Sequence, residues 1–236
     1  MRNLRLLRWL VAVIFIAPAS LFAQNRPVHS SPAELHLHIQ PTPSAHHGVP
    51  AVVWLEPLAG TRSLPFDPQG HYKLLQKNRT FIPHLQVVPV GSVVQFPNAD
   101  PFFHNVFSLF DGKRFDLGLY EAGSSKSVTF SRPGISYIFC NIHPEMSAVI
   151  ISLSTPLYAI ADTADIATVR NIPPGDYRML LWVEGALPTA LQALSREVKI
   201  SPGMNDLGTL SVPIATDAAH TNMYGNAYDR QTASPY

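Results

Sequence analysis

The segment FCNIHPEM, residues 139 to 146, holds the chain's single cysteine, Cys140, with His143 three positions on and Met146 three further. Thiolate, imidazole and thioether form a soft donor set suited to copper passing between its two valences. One cysteine and two histidines in a trigonal plane, with a long axial methionine, is an electron-transfer arrangement of that metal. The loop lacks the second histidine. His104, in NADPFFHNVFS, stands 36 residues upstream at the start of a β-rich run, where strand pairing can bring it beside the cysteine loop. A β scaffold that holds all four donors in both valences keeps reorganisation small, which suits electron transfer rather than substrate turnover.

Other uses of the cysteine explain less. A free thiol is often a plain core residue, yet Asn141, Pro144 and Glu145 describe a loop. A catalytic Cys–His pair leaves Met146 without a part to play. An oxidase with several coppers needs a His-Cys-His run, whereas Phe139 and Asn141 flank this cysteine. The chain is therefore expected not to be an enzyme.

The elements that must position these donors are strands. LQVVPVGSVVQFPNAD gives two β-rich runs hinged at Gly91; HNVFSLF, SKSVTF, GISYIFC and SAVIISL follow, the last two flanking the cysteine loop. Upstream, ELHLHI alternates Leu35, Leu37 and Ile39 with His36 and His38, and AVVWLEPL is a second short strand. His29, His46 and His47 lie in the same Pro/Ser/His-rich stretch; a metal-collecting role is conceivable there, and solvated histidines are the commoner case. His84, in FIPHLQ, is assigned a structural role. Downstream, NIPPGDY forces a turn after which Tyr177, Met179, Leu181 and Val183 share one face. Charged residues make up only 14% of the 236, and 22 prolines punctuate the chain, which points to an all-β protein. A net charge of +1 with no basic run offers no footprint for nucleic acid.

The N-terminus places Arg2, Arg5 and Arg8 before an apolar stretch from Trp9 to about Ala17 and small residues ending at Ala23, the pattern of a secretory leader too short for a confident span. Residues 1–23 are expected to be a signal peptide, with no membrane span after its cleavage and a periplasmic or secreted product. A lone cysteine in such an oxidising compartment needs something to occupy it. The remaining expected divisions are a His/Pro-rich segment with one strand (24–50), a copper-binding domain (51–154), a second β module (155–213) and a disordered tail (214–236). His220 and Met223 in that tail are expected to be solvated.

From Phe81 to Leu153 the chain resembles the cupredoxins of plastocyanin and amicyanin type, on the strength of VPVGSVVQFPNADPFFHNV and GISYIFCNIHPEM. The resemblance implies a Greek-key β-sandwich binding one type 1 copper through His104, Cys140, His143 and Met146. It also implies that Asn105 ties the two ligand-bearing segments together and steadies the thiolate. His143 would then offer the electron exit, and Phe102, Phe103 and Pro144 an apolar rim for transient redox donor and acceptor proteins. Residues after Leu153 resemble the carboxypeptidase-regulatory or transthyretin-like β-sandwich modules, a layout similar to so-called methylamine-utilisation proteins. The expected function is a one-electron carrier; the alternative is a copper-binding protein that delivers the metal to a recipient.

Overall fold

The computed structural model describes residues 33–43, 48–109 and 112–215. The leader, His29, His46, His47, His220 and Met223 lie outside the described residues. Strands β1 (Ala33–Thr42) and β2 (Ala51–Pro57) come first, then β3 (Tyr72–Lys73), β4 (Leu75–Lys77), β5 (Thr80–Ile82), β6 (Leu85–Pro89) and β7 (Val93–Pro97). Next are β8 (His104–Ser108), β9 (Phe115–Tyr120), β10 (Ser125–Thr129), β11 (Gly134–Phe139) and β12 (Ser147–Leu153). The chain continues with β13 (Tyr158–Ile160), β14 (Ile166–Ile172), β15 (Gly175–Val183), helix α1 (Pro188–Leu194), β16 (Arg196–Ile200) and β17 (Met204–Pro213). The fold is all-β, as composition and patterning imply, and among the described residues no helix is long and apolar enough to cross a membrane.

Among the described residues five sheets form, with strand orders β14-β1-β17, β13-β2-β15-β16, β10-β7-β3, β6-β12-β11-β8-β9 and the hairpin β4-β5. The runs hinged at Gly91 are β6 and β7; the glycine sits at φ +93°, a conformation that its missing Cβ makes accessible. One core gathers Phe81, Val88, Val94, Phe96, Val106, Ile138, Cys140, Met146 and Ile150 between β10-β7-β3 and one face of the five-stranded sheet. The other gathers Leu35, Leu37 and Ile39 of β1, Val52 to Leu55 of β2, and Tyr177, Met179 and Leu181 of β15.

Sequence spacing groups residues 51–57 with the segment that bears Cys140. In the structure β2 pairs instead with β13 on one edge and β15 on the other, register Leu181↔Val53. Residues 51 to 55 are all buried, as a strand flanked on both edges and covered on both faces demands. The segment 33–57 and the segment after Leu153 thus build the same pair of sheets, with the Cys140-bearing strands between them in sequence.

β12 joins the two cores. Ala148 and Ile150 face the core that contains Cys140, while Val149, Ile151 and Leu153 alternate to the other. Each fully buried aliphatic side chain contributes roughly 1.5–3 kcal/mol of transfer free energy, so the sheet that carries the site is clamped from both sides. Two polar links cross the same boundary: Trp182 Nε1–H donates to the Tyr137 hydroxyl at 2.9 Å, and His84 Nε2 lies 2.7 Å from Glu184 Oε1.

Candidate metal centre

Antiparallel pairing of β8 and β11 at Phe139↔Phe107 carries His104 to the strand that leads directly into Cys140. His104 Nδ1 and His143 Nδ1 lie 3.1 Å apart, and Cys140 Sγ lies 3.7 Å from the first and 3.6 Å from the second. Among the described residues this is the one group of three His, Cys or acidic side chains whose donor atoms all fall within 4.8 Å of one another. Metal bonds of about 2.0 Å to imidazole nitrogen and about 2.3 Å to thiolate sulfur, at angles between tetrahedral and trigonal, separate N and S by about 3.5–3.8 Å. The triangle therefore fits one soft ion. A proton between the three lone pairs serves one pair at a time; a cation serves all of them.

The fourth expected donor, Met146, is fully buried in the same core as Cys140. The loop closes on itself: Met146 N–H donates to His143 O at 3.0 Å, and Cys140 N–H donates to Met146 O at 3.3 Å. Asn105, at 4% exposure, accepts the Asn141 N–H on Oδ1 at 3.3 Å and donates from Nδ2 to Asp116 Oδ1 at 2.7 Å. That amide spans the two segments that bear the donors. Phe102 lies against both imidazoles, its ring centre 5.3 Å from His104 and 5.5 Å from His143. Phe103 is exposed, and Phe102, His143 and Pro144 are half-buried.

Asp100 was not legible as a site residue from spacing alone. Its Oδ2 lies 2.8 Å from His104 Nε2 and accepts the Arg79 N–H at 3.0 Å, while Oδ1 accepts the Asn78 N–H at 2.6 Å. A carboxylate on Nε2 requires the proton there, which leaves the Nδ1 lone pair for a metal. The two N–H groups come from the tight turn of the β4-β5 hairpin, where Asn78 and Arg79 both take φ +54°, as a two-residue hairpin loop of the mirror-image type requires. Asn98 fixes the connecting turn, accepting the Asp100 N–H and donating to Phe102 O. The available signal is an acid four positions before a candidate ligand histidine, inside an Asn-Ala-Asp-Pro turn. Ile142 and Leu119 were also missed as exposed apolar residues of this region; Leu119 lies opposite Asn105 on β9.

Charge follows the same plan. Burial pushes the Cys140 thiol up, and the backbone N–H groups of Asn105, Ile142 and His143 work against that by favouring the thiolate. Burial lowers His143, helped by the neighbouring His104, so its imidazole is neutral and free to ligate. Burial alone would raise Asp100, but the Arg79 N–H, the His104 ring and the Asn78 N–H outweigh it and hold the carboxyl below its ordinary range.

His84 takes a structural position. Its Nδ1 lies 3.1 Å from Ser147 O and its Nε2 meets Glu184; both partners only accept, so the ring carries both protons, and the Glu184 bond raises its pKa.

No family model matches the sequence, and no curated protein does. Among solved structures, the chain is similar to a Cu-containing nitrite reductase from Thermus scotoductus, with 25% identity over 42% of this chain and a TM-score of 0.34; it spans only 25% of that enzyme. It is also similar to a purple cupredoxin from Nitrosopumilus maritimus, at 20% identity over 35% of this chain and 99% of the other, TM-score 0.32. A reduced amicyanin variant aligns at 18% identity over 43% of this chain and 98% of the other, TM-score 0.34.

Proposed function

We propose that the chain is an exported type 1 copper protein that works as a one-electron carrier, binding one copper through His104, Cys140, His143 and Met146. The observation that carries this reading is the triangle of two imidazole nitrogens and one sulfur, buried at His104 and Cys140 and half-buried at His143, with Met146 in the same core. Bound copper supplies the one-electron change between its two valences. The protein's part is to hold position and charge. Cys140 gives up its proton on binding, and the three backbone N–H groups around it offset the cost of a buried thiolate. Asp100 keeps the His104 proton on Nε2, and Asn105 locks the loop against the strand that bears His104.

His143 at the partly open edge is the proposed route for the electron, and Phe102, Phe103 and Pro144, together with Ile142 and Leu119, form the proposed rim on which donor and acceptor proteins dock transiently. The leader proposed for residues 1–23 supports a periplasmic or secreted location.

The test is the visible and EPR spectrum of the mature protein after addition of Cu(II), with Cys140→Ser alongside. An intense thiolate-to-copper band with narrow hyperfine splitting, absent from the variant, is expected. A colourless protein, or equal copper binding by the variant, refutes the reading.

A further inference from the structure

A second row of donors stands on a different sheet. On β1 the buried residues Leu35, Leu37 and Ile39 alternate with Glu34, His36 and His38, so these three project from the outer face of the β14-β1-β17 sheet. Two residues of strand advance about 6.6 Å, a spacing that lets two imidazoles close on one ion held at about 2.0 Å from each nitrogen. β17 runs parallel beside β1 and sets Asp206 next to His36 and Thr209 next to His38. Residues paired across strands share a face, so Asp206 stands beside His36, with a bulge separating it from the pair of His38 and Thr209; the three donors do not converge as the side chains stand, and closing on one ion takes rotation of the rings.

Each of these groups has coordinating capacity left over. His36 Nε2 touches only the edge of Glu34 Oε2, at 3.4 Å, and Arg170 Nε draws on the same carboxylate at 3.6 Å. His38 Nδ1 meets the Thr209 hydroxyl at 3.2 Å, a neutral and replaceable partner. Asp206 spends Oδ1 on the Gly208 N–H at 2.8 Å and retains Oδ2. Both histidines reach solvent: His38 is exposed and His36 half-buried. Neither is near-buried in apolar surroundings, and rotation of an exposed ring is cheap.

We propose that His36 and His38, with Asp206 as third donor, form an open surface site for Cu(II). Two imidazoles, one carboxylate and water make a nitrogen and oxygen set that favours tetragonal Cu(II), and the stability order of divalent ions places Cu(II) first at such a set. With no thiolate or thioether the site favours Cu(II) over Cu(I). It shares no residue with the His104, Cys140 and His143 triangle and does not depend on it.

The mature full-length chain is titrated with Cu(II) and followed by EPR and calorimetry, beside the double variant His36→Asn/His38→Asn. The wild-type chain is expected to take up one equivalent with the wide hyperfine splitting of a tetragonal site and coupling to nitrogen; the double variant loses that signal, and each single variant weakens binding about tenfold or more. Asp206→Asn lowers the affinity by several-fold; unchanged affinity there removes Asp206 from the site. Retention of the wide-splitting signal at the same affinity in the double variant, or its absence from the wild type, overturns the proposal. The thiolate band of the other centre is read in the same sample, so failure of one reading does not obscure the other. Far-ultraviolet circular dichroism of the variants separates lost binding from lost fold.

Discussion

Asp100→Asn isolates what the carboxylate does for His104. Oδ2 of Asp100 serves two donors, His104 Nε2–H and Arg79 N–H, while Oδ1 serves the Asn78 N–H at 2.6 Å. An amide has one oxygen. Placed at the shared position it keeps His104 and Arg79 and turns its NH2 toward the Asn78 N–H, so that part-buried bond is lost at a cost of about 0.5–1.5 kcal/mol in stability. His104 keeps a hydrogen bond, but to a neutral acceptor. The difference between charge-assisted and neutral bonds is about 1–1.5 kcal/mol, or roughly tenfold in copper affinity. Urea unfolding of the metal-free protein reads the first number, and competition with a chelator of known affinity reads the second. The stability difference has a definite pH signature. Asp100 is held below its ordinary value of 3.8, so its contribution is present above that pH and is lost as pH falls through the folded value, where wild type and variant converge. Copper affinity unchanged within about twofold, beside the expected loss of stability, refutes the reasoning: Asp100 would then brace only the hairpin.

Asn105→Ala removes both the bond to Asn141 and the bond to Asp116; it is expected to cost about 1–3 kcal/mol and to speed copper release, measured by transfer to a chelator, whereas unaltered release counts against Asn105 as the tie between segments. Glu184→Gln is expected to destabilise by about 0.5 kcal/mol at pH 6, since both partners are partly exposed. Because His84 is raised, that contribution is present below the unfolded value of 6.5 and lost as pH rises through the folded value, so thermal melts of variant and wild type should converge as pH rises; a difference that grows with pH contradicts the doubly protonated ring. Ile151→Ala, at a fully buried position facing away from the Cys140 core, is expected to cost about 2–5 kcal/mol and to lower one shared unfolding transition; a split into two transitions would show that the cores unfold independently.

Most strands were legible because alternation and turn residues are local signals. The run hinged at Gly91 and the pair flanking the cysteine loop appear where the pattern places them, and Tyr177, Met179, Leu181 and Val183 do share a buried face. β9 escaped notice because FDLGLY holds a glycine at φ +61° and a bulge against β8, which spoil the period. The seven-residue helix α1, opened by Pro188, falls below the length at which a helical period can be recognised. The partner of β2 was not legible either: an apolar run is compatible with either core, and what decides between them is pairing with β15, more than 100 residues away in sequence. Donor types and spacing marked out His104, Cys140, His143 and Met146, since chemistry restricts which residues make a soft set. Asp100 lay outside that logic because a carboxylate binding an imidazole edge leaves no pattern of its own; only the φ values at Asn78 and Arg79, a property of the folded hairpin, direct two N–H groups to it.

The two groups of histidines differ in how completely the fold restrains them, and that difference has consequences for rate. His104 is fully buried, fixed at Nε2 by a carboxylate that is itself held by two backbone N–H groups, and it sits on a sheet covered on both faces. An ion leaving that triangle must break into a closed loop whose backbone bonds run from Cys140 to Met146 and from Met146 to His143. Slow exchange and small rearrangement are expected from the same restraint, as the proposed carrier role requires. His36 and His38 have no such brace: one rests on a long contact to Glu34, the other on a threonine hydroxyl, and water reaches both. An ion bound there can gain and lose ligands one at a time. If both sites hold copper, the strand site should exchange with free chelator many times faster than the buried one, and equal exchange rates would show that the hydrogen bonds behind His104 do not govern retention of the metal.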